Sequence, residues 1–138
     1  MKVSKKINTI LCDDVRYEVG GKISLMGIYS KDIIVNKVPA ILPSINLVIM
    51  FEGIKENFDK FFITIIIPKS DPIKISNSAP PGMKKGQDIN LVVGLSPFKL
   101  NDTGKATFEI RFSENEKASV IHHFSIKVNQ DKPHLNNK

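Results

Sequence analysis

Apolar and polar residues alternate with a period of two along most of this chain. In the clearest case, the run I-N-L-V-I-M-F-E at 45–52, every second residue from Ile45 to Phe51 is apolar and shares one face. Alternation of this kind is typical of a strand with one buried face. The run F-F-I-T-I-I-I-P at 61–68 is apolar on both faces, which predicts a strand near the centre of a sheet.

The second half of the chain continues the alternation. Three segments, at 87–95, 105–112 and 118–128, each place apolar residues at every second position. The segment 68–86 contains four prolines, which remove backbone donors and limit strand pairing. We therefore expect a loop there, with one short edge strand at 73–76.

The front of the chain carries the most distinctive pattern, C-D-D-V-R-Y-E-V-G-G-K-I-S-L-M-G-I-Y at 12–29. Residues 7–18 predict one long strand, or two strands joined by a bulge at 13–14. Gly20 and Gly21 then predict a two-residue hairpin turn, because glycine adopts a positive φ without steric cost.

A return strand at 22–29 and a short strand at 32–36 bring the total to eight or nine strands, with no helix of three turns. Regular short strands separated by turns predict an all-β fold, a single antiparallel β-sandwich of immunoglobulin-like or C2-like shape. We expect a basic N-terminal arm at 1–6, the sandwich domain at 7–128 and a flexible C-terminal tail at 129–138.

The net charge of +6 raises the question of nucleic-acid binding. Lys2, Lys5 and Lys6 supply half of it, so the expected folded body is closer to neutral. Eighteen of the twenty basic residues are lysines and two are arginines, whereas contacts to phosphates and base edges favour arginine. Nucleic-acid binding is therefore an alternative hypothesis, not the main one.

The N-terminal lysines are followed by a short apolar patch, as in a secretory signal. The patch, at 7–11, is interrupted by Asn8 and Thr9 and is too short for the apolar core of a signal peptide. The single cysteine, Cys12, cannot form an intramolecular disulfide, which suits a reducing compartment. We expect a cytoplasmic protein without a transmembrane segment.

Three charged residues of the front strand form the first candidate binding site. Asp14, Arg16 and Glu18 are spaced by two and so share one side of a strand. In one interpretation Arg16 is held between two acids in a structural charge ladder. In the other, the two acids orient Arg16 toward a ligand or partner.

The second candidate site is the loop P-P-G-M-K-K-G at 80–86. Lys84 and Lys85 stand beside Met83, which we expect to be exposed. Such a loop could contact an anionic partner or a lipid surface. The simpler interpretation is a solvated loop whose lysines keep it soluble.

No residue pattern in the chain indicates catalysis, a metal or a cofactor. His122 and His123 are neighbours in a strand, so their side chains diverge, and we expect His122 to be a core or boundary residue with a hydrogen-bond partner. Cys12 lacks a companion base, and no spacing typical of a zinc site occurs. We expect a protein that is not an enzyme and holds no metal or cofactor.

The pattern at 12–29, followed by P-A-I-L-P at 39–43 and I-N-L-V-I-M-F at 45–51, resembles the opening of a family of small bacterial β-sandwich proteins of unassigned function. The run D-T-G-K-A-T-F-E-I-R-F at 102–112 is similar to a turn and strand of immunoglobulin-like and C2-like sandwiches. The resemblance implies the fold and a bacterial or phage-related origin, and it implies no catalytic residues.

These patterns predict a non-catalytic binding or assembly module that acts through protein–protein contacts. Its partner is another protein, with a homodimer through a sheet edge or an apolar sheet face as one hypothesis. The alternative is binding of nucleic acid or an anionic lipid through Lys5, Lys6, Lys84 and Lys85.

Overall fold

A computed structural model describes residues 3–129. All helical or extended elements assigned in that range are β-strands, and none is a helix. These residues contain no helix that is long and apolar enough to cross a membrane. In chain order the strands are β1 (Ser4–Tyr17), β2 (Ile23–Tyr29), β3 (Asp32–Val35), β4 (Ala40–Leu42), β5 (Ile45–Ile54), β6 (Lys60–Ile66), β7 (Ile73–Ser78), β8 (Ile89–Leu95), β9 (Phe98–Leu100), β10 (Gly104–Arg111) and β11 (Val120–Val128).

The strands form two main sheets that pack as a sandwich. One has the order β2-β1-β5-β8, and the other has the order β3-β11-β10-β6-β7. The all-β sandwich predicted from the alternation is confirmed. The strand count is higher than predicted, because β4 and β9 form a small two-stranded sheet of their own. Each is three residues long and close to prolines, so alternation does not reveal it.

Aromatic side chains hold the two sheets together. Near one end, Phe51 of β5 packs edge-on against Phe112, with ring centroids 5.7 Å apart, and Phe58 lies 4.8 Å from Phe112. Phe108 of β10 packs 5.4 Å from Phe124 of the neighbouring strand. All five rings are at most 5% exposed, and each buried ring contributes roughly 1.5–3 kcal/mol through apolar burial.

Strand pairing is antiparallel as predicted, with one exception. β3 runs parallel to β11, with Ile33 opposite Ile126. The chain leaves β2 at the edge of the first sheet and, after two residues, enters β3 at the adjacent edge of the second sheet, where the Ser125 N–H donates to the Lys31 carbonyl at 2.9 Å. The direction in which the chain enters β3, and not the local sequence, therefore makes this pair of strands parallel.

The first strand begins at Ser4, within the segment 1–6 that the sequence assigns to a basic arm. Ser4 is buried, and its hydroxyl donates to the Glu52 carbonyl at 2.6 Å. Lys6 lies opposite Glu52 in the β1–β5 ladder. Residues 1–2, and all but the first residue of the tail expected at 129–138, lie outside the described residues.

The turn after β1 has the predicted backbone conformation but a different length. Gly20 and Gly21 have φ values of +88° and +77°, as expected for a glycine hairpin. The Glu18 N–H donates to the Lys22 carbonyl at 2.8 Å, so three residues form the turn and not two. The β1–β2 register runs through Asp14 without a bulge, so the front strand is continuous.

Candidate binding site

The first strand projects beyond the sheet to which it belongs. Pairing of β1 with β5 ends where Cys12 lies opposite Asn46. The Asp13 carbonyl instead accepts hydrogen bonds from Asn46 Nδ2 at 2.9 Å and Ser44 Oγ at 3.2 Å. From Asp13 onward β1 pairs with β2 alone. We call residues 13–27 the hairpin arm.

One face of the hairpin arm is apolar. Val15 lies directly opposite Leu25, and Tyr17 lies opposite Ile23. Opposed residues in an antiparallel pair share a face, so these four side chains form one apolar surface. None of them belongs to the buried core cluster or to the apolar residues packed against it. The arm therefore carries an apolar face that the core of its own domain does not use.

The arm and its base are also rich in exposed apolar side chains. Tyr17 is 74% exposed and Val19, in the turn, is 94% exposed. On the other face, Met26 is 43% exposed, and Ile28 at the base of the arm is 56% exposed. These four make up half of the large apolar side chains that are exposed among residues 3–129. Concentrated exposure of this kind marks interaction surfaces.

The structure partly supports the predicted charge ladder on the arm. Arg16 Nε lies 3.9 Å from Asp14 Oδ2, and the two side chains are 65% and 60% exposed. Glu18 does not complete the ladder, because its Oε2 accepts a hydrogen bond from Ser24 Oγ at 2.7 Å. Arg16 is therefore held on one side only, by a single long and solvated ion pair.

Replacing Arg16 by alanine should cost less than about 1 kcal/mol of folding stability, since exposed ion pairs contribute little. Urea unfolding followed by circular dichroism measures this, and Asp14→Asn should give a similar value, because it removes the same ion pair but keeps an acceptor for the Val15 N–H. A loss of more than about 2 kcal/mol would exceed what an exposed pair supplies and would make Arg16 a structural residue.

The base of the arm contains a contact that the sequence did not reveal. The Tyr29 hydroxyl donates a hydrogen bond to Asp13 Oδ1. Gly27 has a φ of +69°, and a Cβ built on it would lie 2.4 Å from Asp13 Oδ2. A glycine inside an apolar strand often marks such a close approach, so Gly27 was the residue from which this contact could have been predicted. Partial burial and the Asp13 carboxylate raise the pKa of the Tyr29 hydroxyl, which keeps it protonated as the donor.

Cys12 lies next to this contact but does not offer nucleophilic chemistry. Its side chain is fully buried, and its Sγ lies 3.5 Å from the Asp14 carbonyl. Burial, assisted by the negative charge of Asp13, raises the pKa of the Cys12 thiol. A buried, protonated thiol is a poor nucleophile.

The lysine loop lies far from the arm. Lys84 and Lys85 are exposed, and the Gly86 N–H donates to the Ile54 carbonyl at 2.8 Å, which ties the loop to the last residue of β5. The arm leaves the sheet at Asn46, eight residues earlier, so about 27 Å of strand separates the two sites. The candidate residues predicted from the sequence thus fall into two groups at opposite ends of the sandwich.

The expectation of an exposed methionine in this loop is wrong. Met83 is partly buried and packs against the hydrophobic core. The proline-stiffened loop folds back over the end of the sandwich, which covers this side chain. Of the two features that made this loop a candidate site, the exposed methionine and the lysines, the structure retains the exposed lysines.

Lys5 lies at the same end of the sandwich as the lysine loop. Its Cβ lies 3.3 Å from where a Cβ of Gly53 would be, and the Gly53 N–H donates to Asp88 Oδ1 at 2.9 Å. Glu52, opposite Lys6, adds a second acid. The lysines at this end are therefore interspersed with carboxylates and do not form a purely basic surface.

The two histidines diverge as predicted. His122 is half-buried, and its Nδ1 lies 2.8 Å from Thr9 Oγ1, so this hydrogen bond joins the two sheets. Its ring packs edge-on against Phe108 at 6.3 Å, and burial, with a smaller effect of His123, lowers the pKa of His122. His123 is exposed on the other face. Across residues 3–129, no group of three or more potential metal ligands converges.

The side chain of Arg111, the second arginine of the chain, is held by local contacts. A shallow depression of about 390 Å³ on the outer face of the five-stranded sheet is lined in part by Phe62 and Arg111. The Arg111 guanidinium lies 5.6 Å from the Phe62 ring centroid, and its Nη1 donates to the Glu114 carbonyl at 2.6 Å. These contacts fix Arg111 against its own strand and turn.

Comparison with known proteins gives a family but no activity. A family model described as a family of unknown function (DUF6941) matches residues 8–128, which span the hairpin arm and every strand except the start of β1. No curated protein is similar enough to be matched to the chain. The resemblance to a family without an assigned function is confirmed, and the chain belongs to DUF6941.

Proposed function

We propose that this domain is a non-catalytic binding or assembly module that acts through protein–protein contacts, with the hairpin arm as its contact surface. The observation that carries the proposal is the apolar face of the arm, formed by Val15, Tyr17, Ile23 and Leu25 outside the domain core. This extends the prediction made from the sequence, which named the charged residues of the same segment.

Physical chemistry explains why such an arm favours a partner. A two-stranded ribbon is only marginally stable in water unless a further strand or surface covers its apolar face. Each Å² of apolar surface that a partner covers contributes about 25 cal/mol before the cost of association. Tyr17, at 74% exposure, combines a large apolar ring with a hydroxyl, a combination enriched in protein interfaces.

The edges of the arm add a second way to bind. Residues 14–17 of β1 have no paired strand on the side where β5 pairs with the rest of β1, and β2 is the outermost strand of its sheet. Unpaired strand edges present N–H and C=O groups that accept an added strand. Apolar side chains and open backbone groups therefore occur on the same fifteen-residue element.

Co-purification from the native host with quantitative mass spectrometry tests this proposal. The wild-type domain should retain a protein partner in stoichiometric amount, and Tyr17→Lys combined with Val19→Lys should lose it. Ile121→Lys is the matched control, because Ile121 is 46% exposed but lies on β11 in the other sheet. A wild-type domain that associates with no protein, itself included, would contradict the proposal.

A second candidate function is binding of nucleic acid or an anionic lipid. It is favoured by the meeting of Lys5 with the loop of Lys84 and Lys85 at one end of the sandwich. Glu52 and Asp88 lie among these lysines and weaken the local positive potential. Gel retardation and liposome sedimentation at low salt test it, since counterion release makes such binding strongly salt-dependent. Lack of binding at low salt would contradict it.

A further inference from the structure

We infer that the open edge of β2 pairs with β2 of a second copy of this chain, antiparallel and about a two-fold axis, so that the two four-stranded sheets join into one. The inference rests on the proposed function and names the partner of the same hairpin arm. Closed two-fold symmetry is the commonest form of homo-oligomer, and it requires a surface that is complementary to itself.

The hydrogen bonding of the hairpin determines which backbone groups face the open edge. The Glu18 N–H donates to the Lys22 carbonyl, so even-numbered residues of β2 bond to β1. Odd-numbered residues alternate with them and direct their N–H and C=O groups outward. The residues of β2 that can bond to an added strand are therefore Ile23, Leu25, Gly27 and Tyr29.

The edge of β2 lacks the features that protect other sheet edges. Its sequence, I-S-L-M-G-I-Y, contains no charge and no proline. The edge strands of the other sheet each carry a charge, Lys74 in β7 and Asp32 in β3. β8 is also uncharged, but no large apolar side chain is exposed on it, whereas Met26 and Ile28 are exposed on β2. By the rules that govern strand edges, β2 is the open one.

The strand is complementary to itself in one register. Full overlap of the seven residues of β2 with those of a second copy places Met26 opposite Met26 on the two-fold axis. Ile23 then lies opposite Tyr29 of the second copy, which gives an apolar pair. Leu25 lies opposite Gly27 of the second copy, where no Cβ competes for space. All hydrogen-bonded pairs in this register join odd-numbered residues, in agreement with the free backbone groups.

Sedimentation velocity and light scattering with two charge variants test the inference. Wild-type protein should be a dimer at micromolar concentration. Met26→Lys and Met26→Glu should each weaken the dimer at least about tenfold, because like charges meet on the axis. An equimolar mixture of the two variants should restore the dimer. Ile66→Lys is the matched control, since Ile66 is 40% exposed on β6, an inner strand of the other sheet, and it should leave the dimer unchanged.

Two results would overturn the inference. The first is a wild-type protein that remains monomeric at all soluble concentrations. The second is an equimolar mixture of the two charge variants that stays monomeric, although each variant has the melting temperature of the wild type and is therefore folded. Neither result touches the proposed function. A monomeric wild-type domain that binds another protein through Tyr17 and Val19 leaves that function standing, whereas a domain that binds no protein at all contradicts both.

Discussion

Replacing Gly27 by alanine is expected to lower the free energy of unfolding by about 2–4 kcal/mol, because two independent costs add at this position. The φ of +69° is unfavourable for any residue with a Cβ. The new Cβ would also lie 2.4 Å from Asp13 Oδ2 and 3.0 Å from Asp13 Cβ. The whole Asp13 side chain must therefore move, and its hydrogen bond with Tyr29 is disturbed.

Gly21→Ala is the matched control for this prediction. Gly21 has a similar φ of +77°, but a Cβ there would meet nothing within 4 Å. It should therefore show the backbone cost alone, roughly 1–2 kcal/mol. In the double variant Asp13→Ala with Gly27→Ala, the two shortest contacts are removed and only the 3.0 Å contact with the Cβ of residue 13 remains, so the two effects should be non-additive. Urea unfolding of the wild type, the two glycine variants, Asp13→Ala and the double variant measures both effects, and equal losses for the two glycine variants would contradict the steric argument.

The strands could be predicted from the sequence because their signal is local. Alternation from Ile45 to Phe51 identifies the buried face of β5 without any knowledge of its neighbours, and the same holds for β10. Turn chemistry is also local, so the positive φ values of Gly20 and Gly21 follow from residue type. The fold class of this chain can therefore be predicted from short-range sequence patterns alone.

The features that were missed depend on contacts between distant parts of the chain. The parallel pairing of β3 with β11 places Ile33 opposite Ile126, and no sequence pattern within either strand predicts this pairing. The end of the β1–β5 ladder at Cys12 depends on where β5 begins. For that reason the sequence predicts a long front strand but not that its second half projects as an arm.

The candidate site illustrates the same limit. Strand geometry correctly predicts that the side chains of Asp13 and Asp14 point to opposite faces. It also places Asp14 on the same face as Arg16, and these two residues form the ion pair. It could not show that Glu18 turns to Ser24, because that depends on the register of β2. The apolar side of the arm was overlooked because alternating apolar residues were assigned to the core. In most strands that assignment is right, whereas here the four side chains lie outside the core cluster, three of them partly buried and Tyr17 exposed.

The burial of His122 should make stability depend on pH near neutrality. The folded protein lowers the pKa of His122, chiefly through burial, whereas the unfolded chain restores the ordinary value of about 6.5. Below that value the unfolded state binds more protons, so stability must decrease as the pH falls. The contribution is fully present above the unfolded pKa and is lost as the pH falls toward the folded pKa.

His122→Gln should therefore flatten the dependence of unfolding free energy on pH between about 7.5 and 5.5. Glutamine keeps an amide that can bond to Thr9 but cannot take up a proton, so the pH dependence is removed while the contact between the sheets is largely kept. His123→Gln is the matched control, because His123 is the exposed neighbour on the opposite face and its replacement should leave most of the slope. Urea unfolding at several pH values measures the slopes. If the wild type and both variants share one slope, other groups cause the dependence and the buried histidine does not. A reduced slope in His122→Gln alone would identify this residue as the group that links protonation to the packing of one sheet on the other.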